Sequence, residues 1–393
     1  MLNKELKFLL KCLSHKTNGN HIEIDKDIDW AIFLDVVEQH ELEPQLYERC
    51  KVLDLPLPSD VLSTLKKRSD SIGLQNLRHV QELVRLVKAF QRANIEVMPY
   101  KGVLLAQQIY GAVTKRKTKD IDIVVARNDV KAAIAILLQE GYIGGIDNNR
   151  LIQREDINTT LKNKNVLGFS HKKEFWFIEL HWEWLSPCYT FQMGYVENKS
   201  KLAYQENFGI QYLAFQPRDL FLILCIHAAK HHYLRLKWLL DVAACLKQFS
   251  SLDAQDLCDY AEDHKARELV LRTLYLLHHL LDIPIPRHLL NEVEESRKQC
   301  ILLKQVMGQF SSWPMPGLNE WQQVHYNLRL VDGLNLVYKW NYLRRIVFVG
   351  GQELYYRPRF LRPLYLLLFR PTRILWRMVL RQLHKPRYHP TNN

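Results

Sequence analysis

The sequence predicts an α+β protein: a small mixed sheet in the order β-α-β-α-β-β, flanked by helical regions on both sides. Three observations carry this. Residues 1–93 and 215–393 place apolar residues at helical spacing. Between them, β-branched runs alternate with helical patterns and turn residues. Within that middle part, Tyr100 to Val125 reads as strand, Lys101-Gly102 turn, amphipathic helix, basic loop and a strand carrying Asp120 and Asp122. The expected division is a helical region over 1–93, a core over 94–214, and a helical region with a basic tail over 215–393.

In chain order, Leu2, Leu6, Leu9, Leu10 and Leu13 share a helix face, and Asp29 to Cys50 reads as a helix pair broken near Glu43-Pro44. Pro56 and Pro58 mark a loop that Ser59 ends as a cap, and long helices follow to Ala93. Ile95 to Pro99 is a strand, Val103 to Tyr110 a helix, and Ile121 to Ala126 a strand. Asn128 or Asp129 caps a helix that Gly141 ends. After a polar, unassigned stretch over 147–165, Val166–Ser170 and Glu174–Trp182 form a hairpin across His171-Lys172-Lys173. On its second strand Phe175, Phe177, Glu179 and His181 share one face. Asp219 to Phe249 reads as a long helix, with further helices over 253–282 and 286–310. Trp313, Pro314, Pro316 and Trp321 mark a loop.

The 393 residues suffice for a sizeable core, and the net charge of +12 favours an anionic partner. Seven scattered cysteines without a CxxC pair argue against a disulfide framework or a zinc knuckle. That implies a reducing, cytoplasmic setting. Lysines interrupt the apolar positions of the N-terminus, so it does not read as a signal peptide, and no uncharged apolar run is long enough for a membrane span.

The chemistry lies in the carboxylates. Asp120 and Asp122 flank Ile121 on one strand, so both face one way and repel each other unless a divalent cation lies between them. Glu179 supplies a third carboxylate, and Glu183 shares its face. The turn at Gly102 opens a helix whose first N–H groups suit a phosphate. Carboxylates holding one or two Mg²⁺ or Mn²⁺ ions near such a turn are the apparatus of nucleotidyl transfer, in which the metal offsets triphosphate charge and activates a hydroxyl.

These residues resemble a known family. Lys101, Gly102, Leu105, Ala106, Tyr110, Arg116, Asp120, Ile121, Asp122 and Val124 are similar to the lKGxxLaxxlY…R…DiDllv stretch of the bacterial "uncharacterised nucleotidyltransferase" family, within the DNA polymerase β-type nucleotidyltransferase superfamily. Ile178-Glu179-Leu180-His181-Trp182 matches its later strand. His227, His231, Leu236, Trp238, Leu239, Asp241 and Val242 match its HxxxH…LrWLlDla helix, and Asp29-Trp30, His40 and Pro44-Gln45-Leu46 resemble its opening helices, so the likeness spans roughly 25–380. The wider superfamily carries Gly-Ser or Gly-Gly at the turn; this chain has Gly102-Val103, with a longer gap to the aspartates. The resemblance implies a polymerase β-type core and Mg²⁺-dependent transfer of a nucleoside monophosphate from an NTP, ATP among them. The acceptor would be a hydroxyl of a small molecule, peptide or protein, with nucleic acid less favoured.

The expected metal ligands and catalytic residues are Asp120, Asp122 and Glu179. Lys101, Gly102, Arg116 and His181 are the expected nucleotide contacts. Arg116 lies in Lys115–Lys119, which reads either as a solvated loop or as a phosphate screen. A helical wheel brings His227, Lys230, His231, Trp238 and Asp241 to one face, with Lys237 at its edge. That band either lines the cleft or forms a buried hydrogen-bond network; without HExxH it does not read as a zinc site. The Arg-rich segment from Tyr355 to Arg387 reads as a packed terminal helix, with peripheral contact at the inner membrane face as the second reading. Two other functions compete: a non-catalytic nucleotide- or peptide-binding scaffold, and a phosphotransferase using the same metal site.

Overall fold

A computed structural model of the chain describes residues 2–348 apart from 18–21, 23–26, 56, 145–156, 159–160, 162–163, 186–190, 192–198, 311–317, 319 and 331–335. The Arg-rich C-terminal segment, Cys188, most of the polar stretch over 147–165, and residues 311–317 and 319 of the expected loop over 311–330 lie outside the described residues; Trp321, expected in that loop, lies in a helix over Glu320–Asn327.

Helices open the chain: α1 (Lys4–Leu13), α2 (Trp30–Gln39), α3 (Glu43–Leu53) and α4 (Ser59–Arg92). Asn3 and Asp29 cap α1 and α2 by accepting from backbone N–H groups of the first turn, and Pro44 sits in the first turn of α3, where its missing N–H costs nothing. Ser59 is the first helical residue of α4, and Pro58 holds the cap position, so the expected serine cap is not formed. α4 is one helix of 34 residues. The core follows as β1 (Val97–Pro99), α5 (Gly102–Tyr110), β2 (Ile121–Val125), α6 (Val130–Gln139), β3 (Tyr142–Gly144), β4 (Val166–His171) and β5 (Phe177–His181).

The five strands form one mixed sheet in the order β1-β2-β5-β4-β3. β2 runs parallel to β5, and every other neighbouring pair is antiparallel. The four expected strands are all present, with β4 and β5 joined as the expected hairpin. The fifth, β3, is three residues long and pairs at the edge with β4. A separate hairpin, β6 (Ala203–Asn207) with β7 (Ile210–Ala214), turns through Phe208 and Gly209, both at positive φ.

One sheet face buries Ile121, Ile123, Val125, Ile178 and Leu180 against Leu83, Leu86 and Phe90 of α4, and against Ile134 and Leu137 of α6. The alternate positions, with Met98 and Val124, join a larger core made by helices from both ends of the chain. Those from the C-terminal side are α7 (Pro217–Lys230), α8 (Leu236–Gln248), α9 (Ala254–Asp263), α10 (Arg267–Leu281), α11 (Arg287–Glu295) and α12 (Arg297–Gln309), followed by α13 (Glu320–Asn327) and α14 (Leu336–Phe348). The N-terminal helices lock onto them: His15 N donates to Leu281 O at 2.8 Å and Ser14 Oγ to Asp282 at 2.6 Å.

The expected single helix from Asp219 to Phe249 is two helices. His232 and Tyr233 both take positive φ, at 59° and 53°. Their N–H groups close the end of α7 on Ala229 O and Ala228 O. The break lets the Tyr233 ring enter the core, where its hydroxyl lies 2.9 Å from Thr273 Oγ1. No glycine or proline marks this turn.

Candidate active site

Strand register builds the site. Because β2 and β5 are parallel, Asp122 lies directly opposite Glu179, and Val124 opposite His181. Side chains two apart on a strand share a face, so Asp122, Glu179 and His181 converge on the side away from α4 and α6. His181 Nε2 is 3.1 Å from Asp122 Oδ1 and 3.2 Å from Glu179 Oε2. Lys101 Nζ lies 2.9 Å from the same Asp122 oxygen. Lys101 also sits over the Tyr100 ring, 4.8 Å from its centroid, and the Tyr100 ring meets His181 edge-on at 5.4 Å.

The two aspartates differ. Asp122 lies within β2, and its side chain is 2 % exposed. Burial opposes its charge, but Lys101 and then His181 hold the carboxyl well below the usual range. Asp120 precedes β2 and is half-buried; burial and the charge of Asp122 push its carboxyl upward, against the pull of Lys101. Asp120 is outside the close group: among the described residues, Asp122, Glu179 and His181 are the ones whose ligand atoms all fall within 4.8 Å of one another.

Gly102 fits the turn for two reasons. Its φ is +60°, and a Cβ there would sit 3.3 Å from the backbone oxygen of Asp120. Only a glycine lets the start of α5 press against the strand carrying the acids. No side chain caps α5.

The basic loop is only partly solvated: Lys115 and Lys119 keep exposed side chains, while the rest is drawn into contacts with the surrounding helices. Arg116 is buried, and its guanidinium binds Asp241 of α8 through two bonds of 2.9 Å, with Tyr110 OH donating to the same carboxylate at 3.0 Å. Lys117 pairs with Glu43 at 2.6 Å, Lys119 with Glu41, and Lys115 with Glu48 at 3.9 Å. From α4, Asn76 Nδ2 donates to Val113 O and Arg116 O, while Thr118 contacts Asn76 and His79. Arg116, expected at the phosphates, is thus engaged elsewhere.

Of the helical band, Asp241 holds Arg116, and Lys237 pairs with Glu41 and donates to Lys117 O at 3.2 Å. Glu41 collects Lys119, Arg235 and Lys237; burial would raise its carboxyl, but these cations hold it down at about 2. Burial and Arg116 bring Lys237 down to about 8 despite Glu41. His227, His231 and Trp238 form a ring cluster across the break, with His231 stacked on Trp238 at 4.9 Å and 4.8 Å from His227. Burial and neighbouring lysines, Lys101 among them, keep both imidazoles neutral near pH 7. Lys230 ends α7 beside this cluster.

Sequence reasoning placed His181 among the nucleotide contacts rather than with the possible metal ligands, and missed Glu41, Glu43, Asn76 and His79. The His181 signal was its two-residue spacing from Glu179; the others are contacts between distant segments with no local pattern. The donor set fits a divalent cation: two carboxylates and an imidazole, with His181 Nδ1 buried and unpartnered behind them. Such a group could hold a metal ion.

Among the described residues, no helix is long and apolar enough to cross a membrane. No curated protein and no solved structure gives a significant match to the chain. A family model described as an uncharacterised nucleotidyltransferase matches residues 26–282, well over half of the sequence, ending at the close of α10 rather than near the expected 380.

Proposed function

The chain belongs to the uncharacterised nucleotidyltransferase family, and from that premise we propose that it transfers a nucleoside monophosphate from an NTP to a hydroxyl of a small-molecule, peptide or protein acceptor and releases pyrophosphate. The observation that carries this reading is the pairing of Asp122 with Glu179 on adjacent parallel strands, beside the Lys101-Gly102 turn. Asp122 and Glu179, with Asp120 alongside, would hold Mg²⁺, or Mn²⁺, which the imidazole of His181 also suits. When bound, the ion offsets triphosphate charge and lowers the pKa of the attacking hydroxyl.

The chain's own residues do the rest. Gly102 opens α5, whose first N–H groups suit phosphate oxygens, and Lys101 adds a positive charge at the same turn. Glu179, the more exposed of the two paired carboxylates, takes the acceptor's proton. His181 fixes the orientation of both acids through its short contacts. The partly exposed rings of His231 and Trp238 offer a flat face for a base or an acceptor. Arg116 and Asp241 act as positioning residues for the strand that carries the aspartates.

Calorimetry with each NTP, with and without Mg²⁺, tests the reading. We expect Mg²⁺-dependent binding of at least one NTP, abolished in Asp120→Ala/Asp122→Ala. A folded native chain that binds no NTP under either condition would sink the donor half of the mechanism. Product analysis then separates the two group transfers: pyrophosphate marks nucleotidyl transfer, and a nucleoside diphosphate marks phosphoryl transfer.

A further inference from the structure

How the metal reaches its carboxylates is a question that rests on the nucleotidyltransferase reading. Asp122 and Glu179 are opposite each other on neighbouring strands, so their charges repel unless a cation intervenes. The protein supplies one. Lys101 Nζ is 2.9 Å from Asp122 Oδ1, the same oxygen that His181 Nε2 approaches at 3.1 Å. The contact is sheltered: the Lys101 side chain is 13 % exposed and that of Asp122 2 %. A free divalent ion arriving at these acids therefore meets an ammonium already bound there. Like charges a few ångströms apart in so sheltered a place repel, and a divalent ion feels this more strongly than a monovalent one.

A triphosphate changes the balance. It brings several negative charges to the same turn and gives the ammonium another place to bind. Lys101 directly precedes Gly102, the first residue of α5, so its four-carbon stem can carry the charge from Asp122 to that turn without displacing β2. The Tyr100 ring, 4.8 Å from Nζ, offers a cation-binding face beside the carboxylate.

We propose that Lys101 is a stand-in cation that occupies the metal's carboxylate and yields it only as a triphosphate arrives, so that the donor substrate is taken as a metal–triphosphate complex and the free ion is rejected. Lys101 then passes from Asp122 to the phosphates, and the positive charge on the carboxylates is exchanged rather than added.

The test is Mn²⁺ binding to the full chain, read by electron paramagnetic resonance, with and without inorganic triphosphate, a probe that carries the phosphates and no base. For the native chain we expect weak Mn²⁺ binding alone and binding tightened at least about tenfold by triphosphate, the size of a partly screened charge interaction. In Lys101→Met, Mn²⁺ alone should bind at least about tenfold tighter than to the native chain, with triphosphate adding much less. Lys101→Gln removes the charge but keeps a hydrogen-bond donor, and must shift in the same direction; it serves if the methionine variant does not fold. Lys101→Arg keeps the charge and should bind Mn²⁺ alone as weakly as the native chain. Equal Mn²⁺ affinity in the native chain and the uncharged variants overturns the exchange while leaving the metal site intact. No Mn²⁺ binding in any folded chain, or binding untouched by Asp122→Asn, overturns the metal reading along with it.

Discussion

Lys101 and Arg116 lie fifteen residues apart, at the two ends of the segment that joins the turn to the basic loop, and both were expected at the phosphates, yet they end in opposite circumstances. Lys101 reaches the carboxylate of the catalytic candidate Asp122 with a single ammonium. Arg116 is held by a two-bond fork on Asp241, a residue 125 positions further along, with Tyr110 on the same carboxylate. The difference lies in the acids around them. Glu41, Glu43 and Asp241, brought in by helices from both sides of the core, take up the loop's cations one by one. Among the described residues, the acid that Lys101 pairs with is Asp122 of the site itself. A cation near a phosphate-binding turn is thus available for a ligand only if distant segments have not already supplied its counter-charge.

The largest expected effect tests the fixed member. Arg116→Met leaves Asp241 buried without its cation, with Tyr110 alone on the carboxylate, and should cost about 3–5 kcal/mol of stability in denaturant titration. Adding Asp241→Leu should restore part of the loss; no recovery would mean that the pair holds the helices by packing rather than charge. Arg116→Lys keeps the charge but loses the fork, and should cost about 1.5–3 kcal/mol, the value of one hydrogen bond to a charged group. A fully silent substitution would contradict the bidentate geometry.

Acid should loosen the clamped side next. Burial, reinforced by Arg235, lowers the imidazole of His40 from its ordinary 6.5 to about 3, and its Nδ1 accepts the N–H of Leu236 at 3.2 Å. A folded-state pKa below the unfolded one means the unfolded chain binds more protons below pH 6.5. The contribution of His40 is therefore complete above pH 6.5 and is lost as pH falls toward 3, about 2 kcal/mol of it by pH 5. Thermal melting of the native chain and His40→Gln across pH 5–7.5 checks this; parallel profiles would rule His40 out. The smallest effect belongs to Lys115, whose 3.9 Å pair with Glu48 is between side chains 42 % and 34 % exposed. Lys115→Ala should cost less than about 1 kcal/mol, and should lose even that in high salt.

Much of the site was legible because it is built from local periodicities. The alternation in Asp120-Ile121-Asp122 and in Glu179-Leu180-His181 told which side chains share a face, and Gly102 marked the turn. The alternation could not show that β2 and β5 are parallel in a register that sets Asp122 against Glu179, leaving Asp120 outside the close group. Nor could it show the fate of the loop, since Asn76, Glu41 and Asp241 meet it only through tertiary contact. The break at His232-Tyr233 was hidden for a different reason: no glycine or proline marks it, and its positive φ angles accompany the burial of Tyr233 against Thr273. The three-residue β3 is too short for any periodicity to register.

α4 carries a mechanical consequence. At 1.5 Å per residue, its 34 residues make a rod about 50 Å long. Its first half packs with α2 and α3, its last turns support the sheet, and Asn76 and His79 near its middle grip the segment that leads into Asp120. A strut fastened at both ends and at its centre leaves the carboxylate side little freedom to shift relative to the N-terminal helices. On the proposed function, any adjustment to an acceptor falls more readily to α7 and α8, which meet at a bend rather than along a continuous beam.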